Sequence, residues 1–329
     1  MLRIPHAIGP SFPPGLTRLR AKAEIYSGDA YFQEGWEDLA VVAGPRAAAL
    51  ALRHALLLLK PEAFAGRRAE RTLHWLADRR CRIAGCCSVR LGRHAVQALW
   101  RYQWNIARRE RKAACERLMA SGRSVLLLVA PPASDISAAE WMADAKGAAR
   151  PDQQRPGDLR SELGVTATQL NFVHSADEAA DVVRELAILA TPTARRRLMQ
   201  HADRGADAAR RAAQLCAQVE AETPPHHLDA ERALVAICAS APPGTPARGV
   251  LEATADALRA GASHDWAALE RAVPRGARRS LRWDLLVIAN HFAPPDLACA
   301  NLLVPSLRSI RSGDPRAASH GKLLEDLPS

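Results

Sequence analysis

The sequence predicts a mixed α/β or α+β sandwich, with helices covering a sheet, followed by an all-helical region. Three observations carry this. Ala55 to Leu59 and Ser124 to Val129 are continuous apolar runs of strand length, suited to strands buried on both faces. Segments with helical periodicity alternate with them, as in helices layered on a sheet. Beyond Thr191 the strand signal fades, and Pro/Gly breaks such as Pro242-Pro243-Gly244 separate helix-length segments. At 329 residues the chain has room for about two domains. The expected division is an N-terminal extension over 1–53, an α+β domain over 54–191 and a helical C-terminal domain over 192–329.

In chain order, Gly9 to Gly15 is rich in proline and glycine and is expected to be irregular. Glu24 to Phe32 and Leu39 to Ala43 fit short strands or single helical turns equally well. Gly44-Pro45 opens a helix that runs through Arg53. After the strand at 55–59, Arg67 to Arg79 has helical period with Leu73 and Leu76 towards a core. Cys81 to Leu91 is a strand and Arg93 to Ala120 is helical. Ser124 to Val129 is a strand, Ala138 to Lys146 a short helix and Gly147 to Leu163 a long polar loop. Leu170 to Val173 is the last strand, and Ala176 to Leu189 a helix. A long helix is expected from an N-cap at Thr193 to about Glu222. Further helices follow at Asp229 to Ala239, Ala247 to Ala260, Asp265 to Ala272 and Leu281 to Phe292.

Composition narrows the partners. The net charge of +10 and pI of about 9.7 favour anionic ones. Arg195 to Arg197 with Arg210 and Arg211 make a basic helix face. It lacks the interleaved aromatics that single-stranded nucleic acid needs, so nucleic acid is not expected. Seven scattered cysteines form no C-x-x-C pair, and reduced thiols in a cytoplasmic protein are expected. The N-terminus has no signal-peptide apolar core and no apolar run reaches membrane-spanning length, so no membrane is expected. Pro224-Pro225-His226-His227 suggests a metal but brings no further ligands in sequence, and a linker is the simpler reading.

The chemistry concentrates at Gln169 to Glu185. A strand ends there in His174, and a polar turn follows that starts a helix. Neutral imidazole is a good nucleophile near pH 7, so such a histidine can carry a phosphoryl group. It then needs a carboxylate on its other nitrogen, donors for the phosphoryl oxygens and a metal on the remaining phosphates. Four motifs occur in order. They are Lys60-Pro61-Glu62-Ala63, Met119-Ala120-Ser121-Gly122, Pro156-Gly157-Asp158-Leu159-Arg160, and Asn171-Phe172-Val173-His174-Ser175-Ala176-Asp177 with Glu185 in the helix beyond.

With these motifs, residues 55–190 resemble nucleoside diphosphate kinases. The resemblance implies a ferredoxin-like α/β sandwich. It implies that His174 takes the ATP γ-phosphoryl and passes it to an acceptor nucleotide, and that Glu185 holds the second ring nitrogen. By the same resemblance Lys60, Arg109 and Arg160 approach the phosphates, and Asn171 the sugar hydroxyl. Tyr102 matches, across an insertion, a tyrosine near the lysine and histidine. Mg²⁺ would arrive with ATP on the nucleotide phosphates, with no protein metal ligands. Nucleotides are the implied partners, and the family commonly forms homo-oligomers.

The sequence also departs from the family. A phosphate-clamping arginine falls at Ala143 and a threonine at Ala149. The aromatic that stacks on the base falls near Arg111, whose guanidinium plane could stack instead. Lys146, Arg150 and Arg155 are the candidate substitutes for the missing phosphate ligands. The alternative function is therefore a catalytically impaired nucleotide-binding or regulatory module, or a scaffold whose C-terminal helices bind a partner protein.

Overall fold

The computed structural model describes residues 12–261, 266–297, 303–304 and 310. Cys299 and residues 1–11 of the N-terminal stretch lie outside them. Four strands, β1 (Ala55–Leu59), β2 (Arg82–Val89), β3 (Ser124–Ala130) and β4 (Val173–Ser175), form one antiparallel sheet in the order β2-β3-β1-β4. This is the ferredoxin-like order. β1 and β3 lie at the centre, and their side chains are buried on both faces, as continuous apolar runs require.

Helices α4 (Pro61–Ala65) and α5 (Ala69–Asp78) lead from β1 to β2. Helices α6 (Arg93–Leu99) and α7 (Arg109–Met119) connect β2 to β3. Helix α8 (Ala138–Lys146) and the single turn α9 (Leu159–Glu162) lie between β3 and β4. Ser137 and Glu140 form a reciprocal capping box at the start of α8, which fixes that helix where the sequence placed it.

Several segments differ from expectation. Residues 20–43 contain no strand. They form α1 (Arg20–Ser27) and α2 (Ala30–Ala43), the second capped by Asp29, whose side chain accepts from the Phe32 amide. The short helix α3 (Ala47–Leu52) follows as expected. α2 crosses the helix after β4, α10 (Ala179–Leu189), so closely that a Cβ on Gly35 would stand 2.4 Å from the Val183 carbonyl oxygen.

The last strand begins at Val173 rather than Leu170. Phe172 adopts φ +63° and packs its ring in the core, so the chain turns there before it can pair with β1.

The long helix expected to run to about Glu222 is two helices, α11 (Pro192–Asp203) and α12 (Ala209–Ala221). Gly205, at φ +67°, breaks it, and the turn is tied to the sheet where the Ala208 amide donates to the Ile83 carbonyl over 2.7 Å. The N-cap is Thr191, with Pro192 at the first helical position, not Thr193. Helices α13 (Ala230–Ala239), α14 (Pro246–Arg259), α15 (Trp266–Ala272) and α16 (Arg282–His291) follow among the described residues.

Two apolar clusters flank the sheet. Leu57, Leu59, Leu127 and Val129 face one that continues through Leu76, Val219, Ile237 and Leu251 to Val287. Leu56, Leu58, Leu126 and Leu128 face the other, which includes Phe32 and Leu39 of α2 and Val183 of α10. The N-terminal helices and α11 therefore cover one face, and α12 to α16 the other. Among the described residues no helix is long and apolar enough to cross a membrane.

Candidate active site

His174 sits on β4 directly opposite Leu58 of β1, so its ring emerges on the face covered by α10. Val173 and Ser175 point to the other face. Glu185 lies on α10, and its Oε2 is 2.8 Å from His174 Nε2. A carboxylate on Nε2 places the ring proton there and leaves Nδ1 as the nitrogen with a free lone pair. The Trp100 ring meets the imidazole edge-on, with centroids 5.5 Å apart, and stacks on Trp104 at 5.4 Å.

His174 opens onto a cleft of about 320 Å³. Lys60, Arg111, Arg160 and Asn171 also line it, together with Ala149. Lys60 is held at the end of β1. Its Nζ donates to the Gln169 carbonyl over 3.1 Å and lies 2.6 Å from Oε1 of the fully buried Glu62. Arg160 donates to the carbonyls of Gly147 (3.1 Å) and Val173 (2.8 Å), so it braces the polar loop against β4. Asn171 Nδ2 donates to the Thr168 carbonyl over 2.7 Å. Arg111 faces Asp296, a residue beyond α16, at 3.2 Å.

The remaining sequence candidates stand elsewhere. The Tyr102 hydroxyl donates to Asp29 Oδ2 over 2.7 Å, and its ring lies 4.9 Å from the Arg184 guanidinium. Burial and the Asp29 carboxylate push its pKa to about 12. Arg109 is exposed at the start of α7. Lys146 Nζ donates to Ser175 Oγ over 2.7 Å, on the side of β4 away from His174. Arg150 pairs with Asp152 at 2.6 Å, and Arg155 with Asp158 at 3.2 Å. Ala143 is buried in α8.

Trp100, Gln103, Trp104, Cys115 and Asp296, which belong to none of the four motifs, also line the cleft. The i,i+4 spacing of Trp100 and Trp104 was a readable signal; Asp296 had none. Burial pushes the Cys115 thiol to about 12, with Lys60 opposing, so it is a neutral wall.

Asp296 of the cleft faces Arg111, and the carboxylates behind its lining are engaged as well, Glu185 by His174 and Glu62 by Lys60. Elsewhere His226, His227 and Asp284 gather their ligand atoms within 4.8 Å. However, both histidines accept backbone N–H bonds on Nδ1, from Leu228 and Asp229 at 3.0 Å each. Their ring protons then occupy Nε2, the reverse of what a metal ligand requires. They organise the turn before α13.

A family model described as nucleoside diphosphate kinase matches residues 53–194. Residues 53–194 form a nucleoside diphosphate kinase-like domain. This kinase-like domain is a part of a larger chain. No curated protein matches the chain. Among solved structures, an apo nucleoside diphosphate kinase from Encephalitozoon cuniculi is similar at 17% identity. That likeness covers 41% of this chain and 87% of that one, with a TM-score of 0.37. An NDP kinase from Pyrobaculum aerophilum is similar at 17% identity over 43% and 97% of the respective chains, with a TM-score of 0.36.

Proposed function

We propose that the kinase-like domain is a phosphotransferase that works through His174. The observation that carries this reading is the 2.8 Å contact between His174 Nε2 and Glu185 at the head of a cleft lined by Lys60 and Arg160. In the first half-reaction Nδ1 attacks the γ-phosphorus of ATP. The N–P bond forms, the bond to the bridging oxygen breaks, and ADP leaves. In the second, an acceptor phosphate oxygen attacks the same phosphorus and the N–P bond breaks. Glu185 keeps the proton on Nε2 and stabilises the positive charge that develops on the ring. Lys60 and Arg160 neutralise phosphoryl oxygens, and Arg111 offers its plane to the base. Magnesium, bound to the nucleotide phosphates, would screen their charge. Self-association would follow the family.

Incubation with γ-labelled ATP is expected to give acid-labile label on the protein, absent from His174→Ala. Absence of label on the wild-type chain overturns the proposal.

A second reading has its own support. Arg160 is committed to two carbonyls, Lys146 to Ser175, and Ala143 and Ala149 offer no donor. A domain so altered would bind nucleotide without turnover. Calorimetric ATP binding without label would favour that reading.

A further inference from the structure

The helix pair beyond the kinase-like domain leaves a second cleft. α11 and α12 are tied to β2 at Arg82 and Ile83, where Arg82 Nη1 donates to the Ala206 carbonyl and the Ala208 amide to the Ile83 carbonyl. Further along β2 the two helices stand apart. Cys86, Cys87 and Ser88 stay half-open, and the gap above them encloses about 590 Å³. This is within the usual range for a small-molecule site.

Its lining has a definite chemistry. Leu198 and Leu215 form apolar walls. Arg197 and His201, four apart on α11, face it from one side, Arg211 of α12 from the other, and Arg123 from the start of β3. Arg123 is balanced by Glu222 at 3.1 Å and also donates to Ser88 Oγ at 2.8 Å. Asp207 is the lining carboxylate, and its Oδ1 accepts from the Ala209 amide over 2.9 Å. Two full cations, Arg197 and Arg211, therefore stand against one carboxylate, with His201 as a further donor. Burial raises the thiol pKa values of Cys86 and Cys87, the latter to about 12, so the floor is uncharged.

We propose that this cleft binds a phosphorylated small molecule of about nucleotide size. Guanidinium forks from two helices match phosphate oxygens in bidentate geometry. The concave shape and apolar walls suit the body of a metabolite rather than a flat partner surface. The site is separate from the His174 cleft, because β2 and β4 are opposite edges of the sheet.

Cys86 is the built-in reporter. In the full-length protein at alkaline pH, where enough of the thiol ionises to react, inorganic pyrophosphate is expected to slow alkylation of Cys86 severalfold relative to the same chain without it, read by mass spectrometry. Arg197→Glu with Arg211→Glu should weaken that protection by roughly tenfold or more. Both side chains are exposed, so the thermal midpoint should stay unchanged. No protection in the wild-type chain, or protection that survives the double substitution, overturns the site. Citrate protecting as well as pyrophosphate overturns the phosphoryl class.

Discussion

Single residues here acquire their roles from partners far away in the chain. His174 and Glu185 are separated by 11 positions, and that spacing from strand to helix was readable in the sequence. Glu185→Gln keeps a hydrogen-bonding side chain but can offer its NH₂ to Nε2 and so favour the wrong tautomer. His174 labelling by ATP should then slow by roughly 10²-fold or more, while calorimetric nucleotide affinity changes little. An unchanged labelling rate would remove Glu185 from the mechanism. The triplet Arg195 to Arg197 shows the opposite case. It looked like one basic face in sequence. In the fold Arg195 is buried against Asp38 and Glu34, Arg196 reaches the other oxygen of Asp38, and only Arg197 turns to the second cleft. Helical spacing cannot separate these fates, because the carboxylates come from α2, about 157 residues earlier.

At the scale of elements, α10 is the piece on which the site depends, and its start is gripped by the N-terminal extension. Lys22 Nζ lies 2.5 Å from Glu178 and 2.7 Å from Asp181, and the Tyr26 hydroxyl donates to Asp181 over 2.7 Å. Thr17 Oγ1 and the Arg18 amide donate to Glu178. Burial alone would push the Asp181 carboxyl up, but Lys22 and the hydrogen bonds more than offset this and hold it below the ordinary 3.8. Burial would likewise depress Lys22, yet Asp181 and Glu178 hold its pKa well above the ordinary value. A lowered carboxyl stabilises the fold above its ordinary pKa and stops doing so as pH falls through the lowered one. A raised ammonium stabilises below its ordinary pKa and fails only in strong alkali. The cluster's contribution should thus be flat through neutrality and fall below about pH 4. Lys22→Met leaves two buried carboxylates without their cation and should cost ~3–5 kcal/mol. Its sign should also invert, so that the variant gains stability between pH 7 and 5. Denaturant titrations across that range decide it, and a flat profile for the variant would sink the assignment. None of this clamp was visible in the sequence. The domain's own strands and helices were, because apolar runs and capping residues are local signals. The extension's pairing is not local.

On the scale of the whole molecule, the apolar cluster under one face of the sheet is shared with α12 to α16, and the other is shared with α2. A chain ending at residue 194 would expose the first cluster's Leu76, Phe64 and Cys81 neighbourhood to water. It should lose its cooperative thermal transition, measured by circular dichroism. A sharp melt near the full-length midpoint would instead mark an autonomous domain. The sequence indicated helices in this region, but not that their apolar faces close over the sheet. The grip of residues 17–26 on α10 also has a consequence in time. The Thr17–Glu178 bond closes a separation of 161 residues. Such closure adds modestly to the entropic cost of folding, since that cost rises only with the logarithm of length, but distant pairings form slowly. During synthesis Lys22 is made early and stays hydrated until residues 178–181 have emerged. Glu185, on the helix that this grip anchors, is therefore fixed late, and a newly made chain would pair β1 to β3 before the His174–Glu185 contact could form.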